Sequence, residues 1–490
     1  MFRKKFGAII FSAALMMSNS VLAADGMTMT LDKAIGLALE NNRSITQYSE
    51  DRESARWNLS AIRRQHGPQL SWYSSFNYIG GKNNRSYQNY YASYHFYYDN
   101  PMFNGDETPP YHSEATNTLN LTFPLYTGGR LENQIEGAEY ALNAADVNLE
   151  YARQNVKYRA TEAYFRVLQY NDAIKVQQEA VNFLQSHLEN VRTQYEVGTV
   201  AKADVLATEV QLADYKRQLN SAWGDYESAV ATLNNIIGLP VDTALVTDED
   251  LNADTYQLNE DECIAYALEH RPDAISAAYN VKQAQANVNA TKAGYRPSVS
   301  ARMVGNINGE KPFESNHNNP EYWQIGLEMQ WNVFDNGITA AQVNQAKASE
   351  RRAESQFLQQ LDQVKLDVHN AYIALLTAEK NVDVAARAVS EAEASYAIAQ
   401  VRYVEGVDTN LNVMDAQTKL AQAKNNYFNA LYSYNVSRAK LEQVMGVPVN
   451  IDALRYVVAV DEGKTSPQAL QEADIVLMYE DGENFQANKK

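Results

Sequence analysis

Of the 490 residues one is cysteine, Cys263. One thiol builds neither a disulfide framework nor a zinc–thiolate site. Positive charge is also short, with 42 Lys+Arg against 60 Asp+Glu. Residues 1–23 read as a secretory leader: basic Arg3-Lys4-Lys5, an apolar stretch from Phe6 to Met17, and small-residue cleavage after Ala23. Removing this leader, which has three basic and no acidic residues, takes the net charge from −18 to −21. So acidic a chain is a poor partner for nucleic acid, whose phosphates need Lys and Arg. After the leader no run of 18 apolar residues occurs, so no helix is expected to span a membrane. A membrane span of this exported chain would have to be built from strands. No His-Glu-x-x-His pair and no Gly-x-x-x-x-Gly-Lys-Ser/Thr phosphate loop occurs, and the seven His are scattered. No catalytic, cofactor-binding or metal-ligating residue is therefore expected. Cys263 aligns with Ala34 in an internal repeat and reads as a small packing residue.

That repeat is the main positive feature. Tyr195-Glu196-Val197-Gly198 returns 208 residues later as Tyr403-Val404-Glu405-Gly406. Gly238-Leu239-Pro240-Val241 returns at the same offset as Gly446-Val447-Pro448-Val449, and Phe123 to Gly129 corresponds to Trp331 to Gly337. Upstream the offset is 229, which pairs Ala38-Leu39-Glu40 with Ala267-Leu268-Glu269 and Pro68 with Pro297. The first copy thus carries an insertion, read as a surface loop rich in Asn and Tyr (Asn83 to His112). Its Tyr cluster, Tyr87 to Tyr98, suits an extracellular or lipopolysaccharide-level loop.

Each copy runs helix, strand, strand, very long helix, Gly turn, helix. The first repeat is placed at 24–241, with strands near 69–79 and 116–126 and helices at 31–65, 130–197 and 201–236. A mid-height linker follows at 242–258. The second repeat is placed at 259–449, with strands near 298–307 and 322–333 and helices at 261–293, 338–405 and 408–444. An acidic tail, also at mid-height, closes the chain at 450–490. Leu142, Leu149, Val156, Ala163 and Tyr170 keep a heptad spacing, which resumes after a four-residue step at Ile174, Val181, Leu188 and Tyr195. This is a coiled-coil period with a stutter.

The strand segments alternate. From Trp323 to Val333 every odd position except the turn residues beyond is apolar, and the even ones are Gln, Gly, Glu, Gln and Asn. Alternation alone fits a half-buried sheet in a soluble domain. Strands about ten residues long, in an exported chain without a helical span, fit a membrane sheet better. Trp72, Trp323 and Trp331 on the apolar faces are candidate girdle residues. Four strands are too few to close a membrane barrel, so two, three or four copies would be needed.

The duplicated order, the Phe123-Pro124-Leu125-Tyr126-Thr127-Gly128-Gly129 motif and the turns at Gly198 and Gly406 resemble the TolC-type outer-membrane efflux proteins. The resemblance implies a mainly helical chain with four membrane strands. It also implies a homotrimer with a 12-stranded β-barrel in outer-membrane lipid and a 12-helix tunnel through the periplasm. The implied partners are a periplasmic adaptor and, through it, an inner-membrane ABC, RND or MFS transporter. The implied role is the exit duct of a tripartite efflux pump or type I secretion system. Acidic rings gate such ducts in a pattern of Gly, five residues, Asp, two residues, Asp. Here Asp415 matches the second acid, Asn412 replaces the first, and Asp408 and Asp204 are further candidates. Asp204 and Asp408 also suit helix N-terminal turns, where carboxylates are favoured. The family's adaptor-docking tips fall on Val197-Gly198-Thr199 and Glu405-Gly406-Val407. The two glycines equally serve the turn itself. A periplasmic coiled-coil scaffold or adaptor is the alternative reading, and the strands are what distinguish the two.

Overall fold

The computed structural model describes residues 27–80, 111–247, 249–253, 259–309, 311–313 and 321–449. The leader, residues 81–110 with the Tyr cluster, and the tail from 450 lie outside the described residues. The elements in chain order are β1 (Met27–Thr28), α1 (Leu31–Asn41), α2 (Arg43–Arg64), β2 (Gln69–Gly80) and β3 (Tyr111–Tyr126). They continue with α3 (Arg130–Glu196), α4 (Lys202–Ile237), β4 (Leu245–Val246), α5 (Glu260–His270) and α6 (Pro272–Lys292). The last are β5 (Ser298–Gly309), β6 (Tyr322–Gln330), α7 (Ile338–Val404) and α8 (Asn410–Met445). At 1.5 Å per residue, a 67-residue helix such as α3 or α7 is about 100 Å long. Along α7 Val364, Val368, Ala371, Leu375, Ala378 and Val382 are buried, at alternating steps of four and three. That spacing keeps one apolar seam on one side of the helix. The chain divides into two compact units, each built from segments of both repeats.

One unit comprises Arg43–Val156, Thr255–Leu376 and Lys440–Lys490. It holds a four-stranded sheet in the order β2-β3-β5-β6, with every neighbouring pair antiparallel. Register sorts the side chains. Leu70 pairs with Leu121, Leu121 with Met303, and Met303 with Ile325. The next row is Trp72, Leu119, Gly305 and Trp323. Most of the large apolar strand positions therefore fall on one face, with Tyr73, Val304 and Tyr322 on the other, and most of that face is exposed: Ile325 is 69% and Leu327 73% accessible. The opposite face carries Ser, Thr, Asn and Gln together with Arg302. The Arg302 guanidinium donates to Asn120 Oδ1 (3.0 Å) and lies 3.5 Å from Glu328, while Thr118 donates to Asn306 Oδ1 (2.9 Å). β2 and β6 are the outer strands, and neither has a second strand partner among the described residues.

The two strand-to-helix turns explain the Phe123–Gly129 motif. Gly128 and Gly129 have φ of +69° and +91°, and the corresponding Asn336 and Gly337 have +53° and +85°. Asn tolerates this left-handed region better than other side chains, which accounts for its place opposite Gly128. Thr127 Oγ1 accepts the Leu131 N–H (3.1 Å), and Asp335 Oδ2 accepts the Thr339 N–H (2.7 Å). In both copies the residue before the left-handed pair, Gly128-Gly129 or Asn336-Gly337, caps the long helix.

The other unit comprises Met1–Asn42, Lys157–Asp254 and Thr377–Ala439. Its core includes Val181, Leu184, Leu188 and Val191 of α3, Leu212 and Tyr215 of α4, and Met414 and Ala421 of α8. The heptad residues Ile174, Val181 and Leu188 are buried, whereas Tyr195 at the end of α3 is exposed. β1 pairs in parallel with β4, joining the start of the described chain to the 242–258 segment. Tyr164 donates between Met29 O (3.2 Å) and Glu249 Oε2 (2.5 Å), which fixes that pairing from below.

Two expected helices are each two. The 31–65 segment breaks at Asn42 (φ −71°, ψ 124°), whose amide donates to Ile236 O at 3.0 Å. The 261–293 segment breaks at Arg271 (φ −69°, ψ 120°). The residue before a proline is pushed out of helical geometry, and Pro272 opens the next helix. Arg271, 8% exposed, is compensated by Asp273 (2.9 Å) and Asp367 (2.6 Å). Each break is where a helix-ending glycine fits. A Cβ on Gly238 would lie 2.6 Å from Asn41 Cβ, and one on Gly446 would lie 2.7 Å from Arg271 Cα. With φ near +77° besides, Gly446→Ala is expected to cost about 1–3 kcal/mol. Gly36→Ala, inside α1 with nothing within 4 Å, is expected to stabilise by about 0.5–1 kcal/mol. Thermal unfolding followed by circular dichroism checks both; equal melting points would refute the junction's tightness.

Candidate functional site at the hairpin tips

The turns joining α3 to α4 and α7 to α8 lie in one unit and share one geometry. Gly198 N–H donates to Tyr195 O (3.0 Å) and Thr199 N–H to Gln194 O (2.9 Å). In the second copy Gly406 N–H donates to Tyr403 O (3.0 Å) and Val407 N–H to Arg402 O (2.9 Å). This double bond pattern requires a left-handed residue, and the two glycines supply it with φ of +76° and +73°. Around the turns Val197, Val404, Val407 and Leu411 are each about 70% exposed. Among the described residues nothing covers these apolar side chains. Thr199 and Glu405 are exposed beside them.

The four gate candidates occupy different settings. Asp204 stands in the first turn of α4, where its carboxylate accepts the Ala201 N–H (3.3 Å). Asp408 precedes α8. Its carboxylate accepts the Asn412 amide and the Thr409 N–H (2.8 Å), with Arg402 Nε 3.4 Å away. These donors, Asn412 foremost, hold its carboxyl below the usual carboxylate range. Asn412 is thereby tied to Asp408. The helix begins at Asn410, two residues later than expected, because Thr409 Oγ1 takes the cap by accepting the Asn412 N–H (3.4 Å). Asp415, one turn further, is half exposed and pairs with Lys419 (2.7 Å). Both Asp204 and Asp408 thus organise helix starts, while Asp415 faces solvent with only a neighbouring Lys.

The spacing of motifs gave no sign of a buried polar cluster behind the tips. His187, 5% exposed, lies against Phe183 and Tyr403. Its Nε2 meets Asn410 Oδ1 at 2.6 Å. The Asn410 amide donates to Asp204 O (3.2 Å) and Thr208 Oγ1 (3.0 Å), so Oδ1 is left as an acceptor and His187 must carry its proton on Nε2. Tyr403 donates to Gln194 (2.6 Å). One cluster thus ties α3, α4, α7 and α8 together just above both turns. Its one sequence signal is that His187 sits between Leu184 and Leu188 of the buried seam.

The girdle candidates belong to the other unit. Trp72 and Trp323 share one cross-strand row on the apolar face. Trp331 lies just beyond β6, not within a strand reaching 333, because the partner strand begins at Ser298, opposite Gln330. Its indole N–H donates to Tyr295 O at 3.2 Å. Cys263 is fully buried, and burial with the nearby Glu262 and Glu260 pushes its thiol up to about 12. Among the described residues no group of three His, Cys, Asp or Glu is placed to hold a metal, and no helix is long and apolar enough to cross a membrane.

A duplicated pair of long helical hairpins, with a four-stranded sheet that is apolar on one exposed face, defines the class. The chain belongs to the outer membrane efflux protein family, matching it over residues 34–239 and 263–447. This is a family of channel proteins rather than enzymes. It is 23% identical to the outer membrane efflux protein BepC of Brucella suis over 84% of each chain. It is 20% identical to the outer membrane protein TolC of Escherichia coli, with 97% of this chain and 94% of that one covered. The fold is that of the CmeC outer membrane channel of Campylobacter jejuni, at a TM-score of 0.71 and 18% identity, over 93% and 96% of the two chains.

Burial disfavours the imidazolium of His187 and holds its pKa below the ordinary 6.5. A group with a depressed cationic pKa gives full stability above 6.5 and loses it as pH falls through the lowered value. Amide exchange protection at the start of α8, corrected for intrinsic rate, is expected to fall as the pH drops below 6.5. The loss should approach tenfold per pH unit within the titration window. His187→Gln should abolish that dependence; a variant with the same pH profile would remove His187 as its source.

Proposed function

We propose that the chain is the exit duct of a tripartite efflux pump or type I secretion system, conducting cargo passively from a periplasmic adaptor to the exterior. The observation that carries this reading is the sheet: one face is largely apolar and exposed, the other largely polar, and among the described residues neither outer edge has a second strand partner. Unpaired strand edges are not tolerated in hydrocarbon, where each lost hydrogen bond costs several kcal/mol. β6 of one copy would therefore pair with β2 of the next. The apolar face would meet lipid, with Trp72, Trp323 and Trp331 at its interfaces, and the polar face would line a water-filled pore. Family membership favours three copies, hence twelve strands, and a tunnel of twelve helices reaching into the periplasm. A periplasmic scaffold or adaptor would need no such face, and its family would be another.

In this reading the tips at Val197-Gly198-Thr199 and Glu405-Gly406-Val407 receive the adaptor, which connects the duct to an ABC, RND or MFS transporter in the inner membrane. The entrance narrows where the α8 helices converge, with Asp415 as the carboxylate ring and Asp408, Asn412 and Asp204 bracing the turns behind it. A ring of carboxylates attracts cations and repels anions. The detergent-extracted protein from outer-membrane fractions should have the mass of three chains after correction for bound detergent. A monomer in the periplasmic fraction would establish the scaffold instead. Asp415→Asn should lower the cation-to-anion permeability ratio in planar bilayers several-fold; an unchanged ratio would take Asp415 out of the gate. Val197→Asp with Val407→Asp should reduce export strongly while leaving the trimer in the membrane, and normal export would disprove docking at the tips.

A further inference from the structure

Directly below the sheet lies a cleft of about 440 Å³. It is bounded by the end of α6, the turn that leads into β5, and the first turns of α7. Lys292, Tyr295 and Arg296 form one wall, and Asn344 and Lys347 of α7 form the other. No carboxylate lines it. In a chain with 60 acidic and 42 basic residues, three cations around one concave surface without an acid is a marked local reversal of charge. Nor are these cations spent on ion pairs. Lys292 Nζ donates to the neutral Asn289 side chain (3.1 Å), Arg296 donates to the Gly128 carbonyl (3.3 Å), and none of the three has a carboxylate partner among the described residues.

We propose that this cleft binds the phosphate headgroup of an anionic phospholipid from the periplasmic leaflet. The inference rests on reading the sheet as the membrane-spanning part. Three observations converge on it. The charge is complementary to a phosphodiester, and Lys292, Arg296 and Lys347 present it from two walls, as headgroup sites between membrane elements do. Height is right as well, since Arg296 stands two residues before the first residue of β5. Lateral position follows from Trp331: it continues the apolar side of β6, and its indole N–H donates to the carbonyl of Tyr295 at the cleft's rim (3.2 Å). A lipid whose tails lie on the apolar strand face would pass Trp331 and Tyr295 at the interface, where aromatic rings are favoured. The Asn344 amide and the Tyr295 hydroxyl add uncharged donors beside the cations. The bound lipid would tie the end of α6 to the start of α7 where the strands meet the helices.

The test uses the delipidated full-length protein in detergent. Native mass spectrometry counts bound phosphatidylglycerol and phosphatidylethanolamine at equal concentrations. Wild type should retain phosphatidylglycerol preferentially. Affinity should fall about fivefold for each charge removed in Lys292→Gln, Arg296→Gln and Lys347→Gln. Lys365→Gln, an exposed cation on α7 that does not line the cleft, should change nothing. No preference in wild type, or a preference that survives the triple variant, overturns the proposal. So does displacement of the lipid by millimolar inorganic phosphate, which would make this a free-anion site. The same spectra report the oligomer. A trimer without lipid preference sinks the cleft alone, whereas a monomer recovered from the soluble periplasmic fraction sinks the membrane reading with it.

Discussion

A backbone N–H or C=O that enters hydrocarbon must be paired within protein, since no water is there to replace the partner. If the sheet spans the membrane as proposed, it meets that demand at its three internal seams and, among the described residues, leaves it unmet at β2 and β6. In the proposed membrane setting, the two open edges would be completed by further copies of the chain. Side chains are sorted by face as well, though not perfectly. The Leu70–Leu121–Met303–Ile325 row lies on one face, and the Thr118–Asn306 and Arg302–Asn120 bonds lie on the other. A slip of one residue in any pairing would exchange the faces of a whole strand.

The helices obey a different constraint. A helix of 67 residues gains little from its own hydrogen bonds and needs a buried seam throughout. The seam here is largely Ala, Val and Leu at heptad spacing, and small residues let neighbouring helices approach closely. Where the seam stops, turn chemistry takes over. Gly198 and Gly406 turn the hairpins, Thr127 and Asp335 start the long helices, and Gly238 and Gly446 fit against the breaks at Asn42 and Arg271. The copies share backbone geometry at these points while differing in side chain, as a duplication does when the backbone bears the constraint.

Charge is distributed unevenly to suit these tasks. Carboxylates near the tips organise helix starts at Asp204 and Asp408, and Asp415 remains turned to solvent. Lys292, Arg296 and Lys347 gather at a cleft below the sheet that no carboxylate lines. Behind the tips, His187 and Asn410 place a titratable polar contact inside an otherwise apolar bundle. Because that contact joins helices from both repeats, it couples two hairpins that the turns alone would leave independent.

What the sequence determined by itself is what repeats along the chain. Periods of two and of seven residues, the 208-residue offset and the glycine turns are local signals, each set by backbone geometry and burial on one side of one element. They made the helices, the strands, the duplication and the tips legible, together with the family they resemble. The break at Arg271 was also written there, in Pro272; Asn42 carried no such mark. Tertiary structure alone decided what depends on distant partners. It chose the strand order β2-β3-β5-β6, set Trp331 against Tyr295, tied Asn412 to Asp408, and brought His187 to Asn410 across 223 residues. It also gathered Lys292, Arg296 and Lys347 around one cleft. No local period encodes those meetings, because each depends on where two separate elements come together in space.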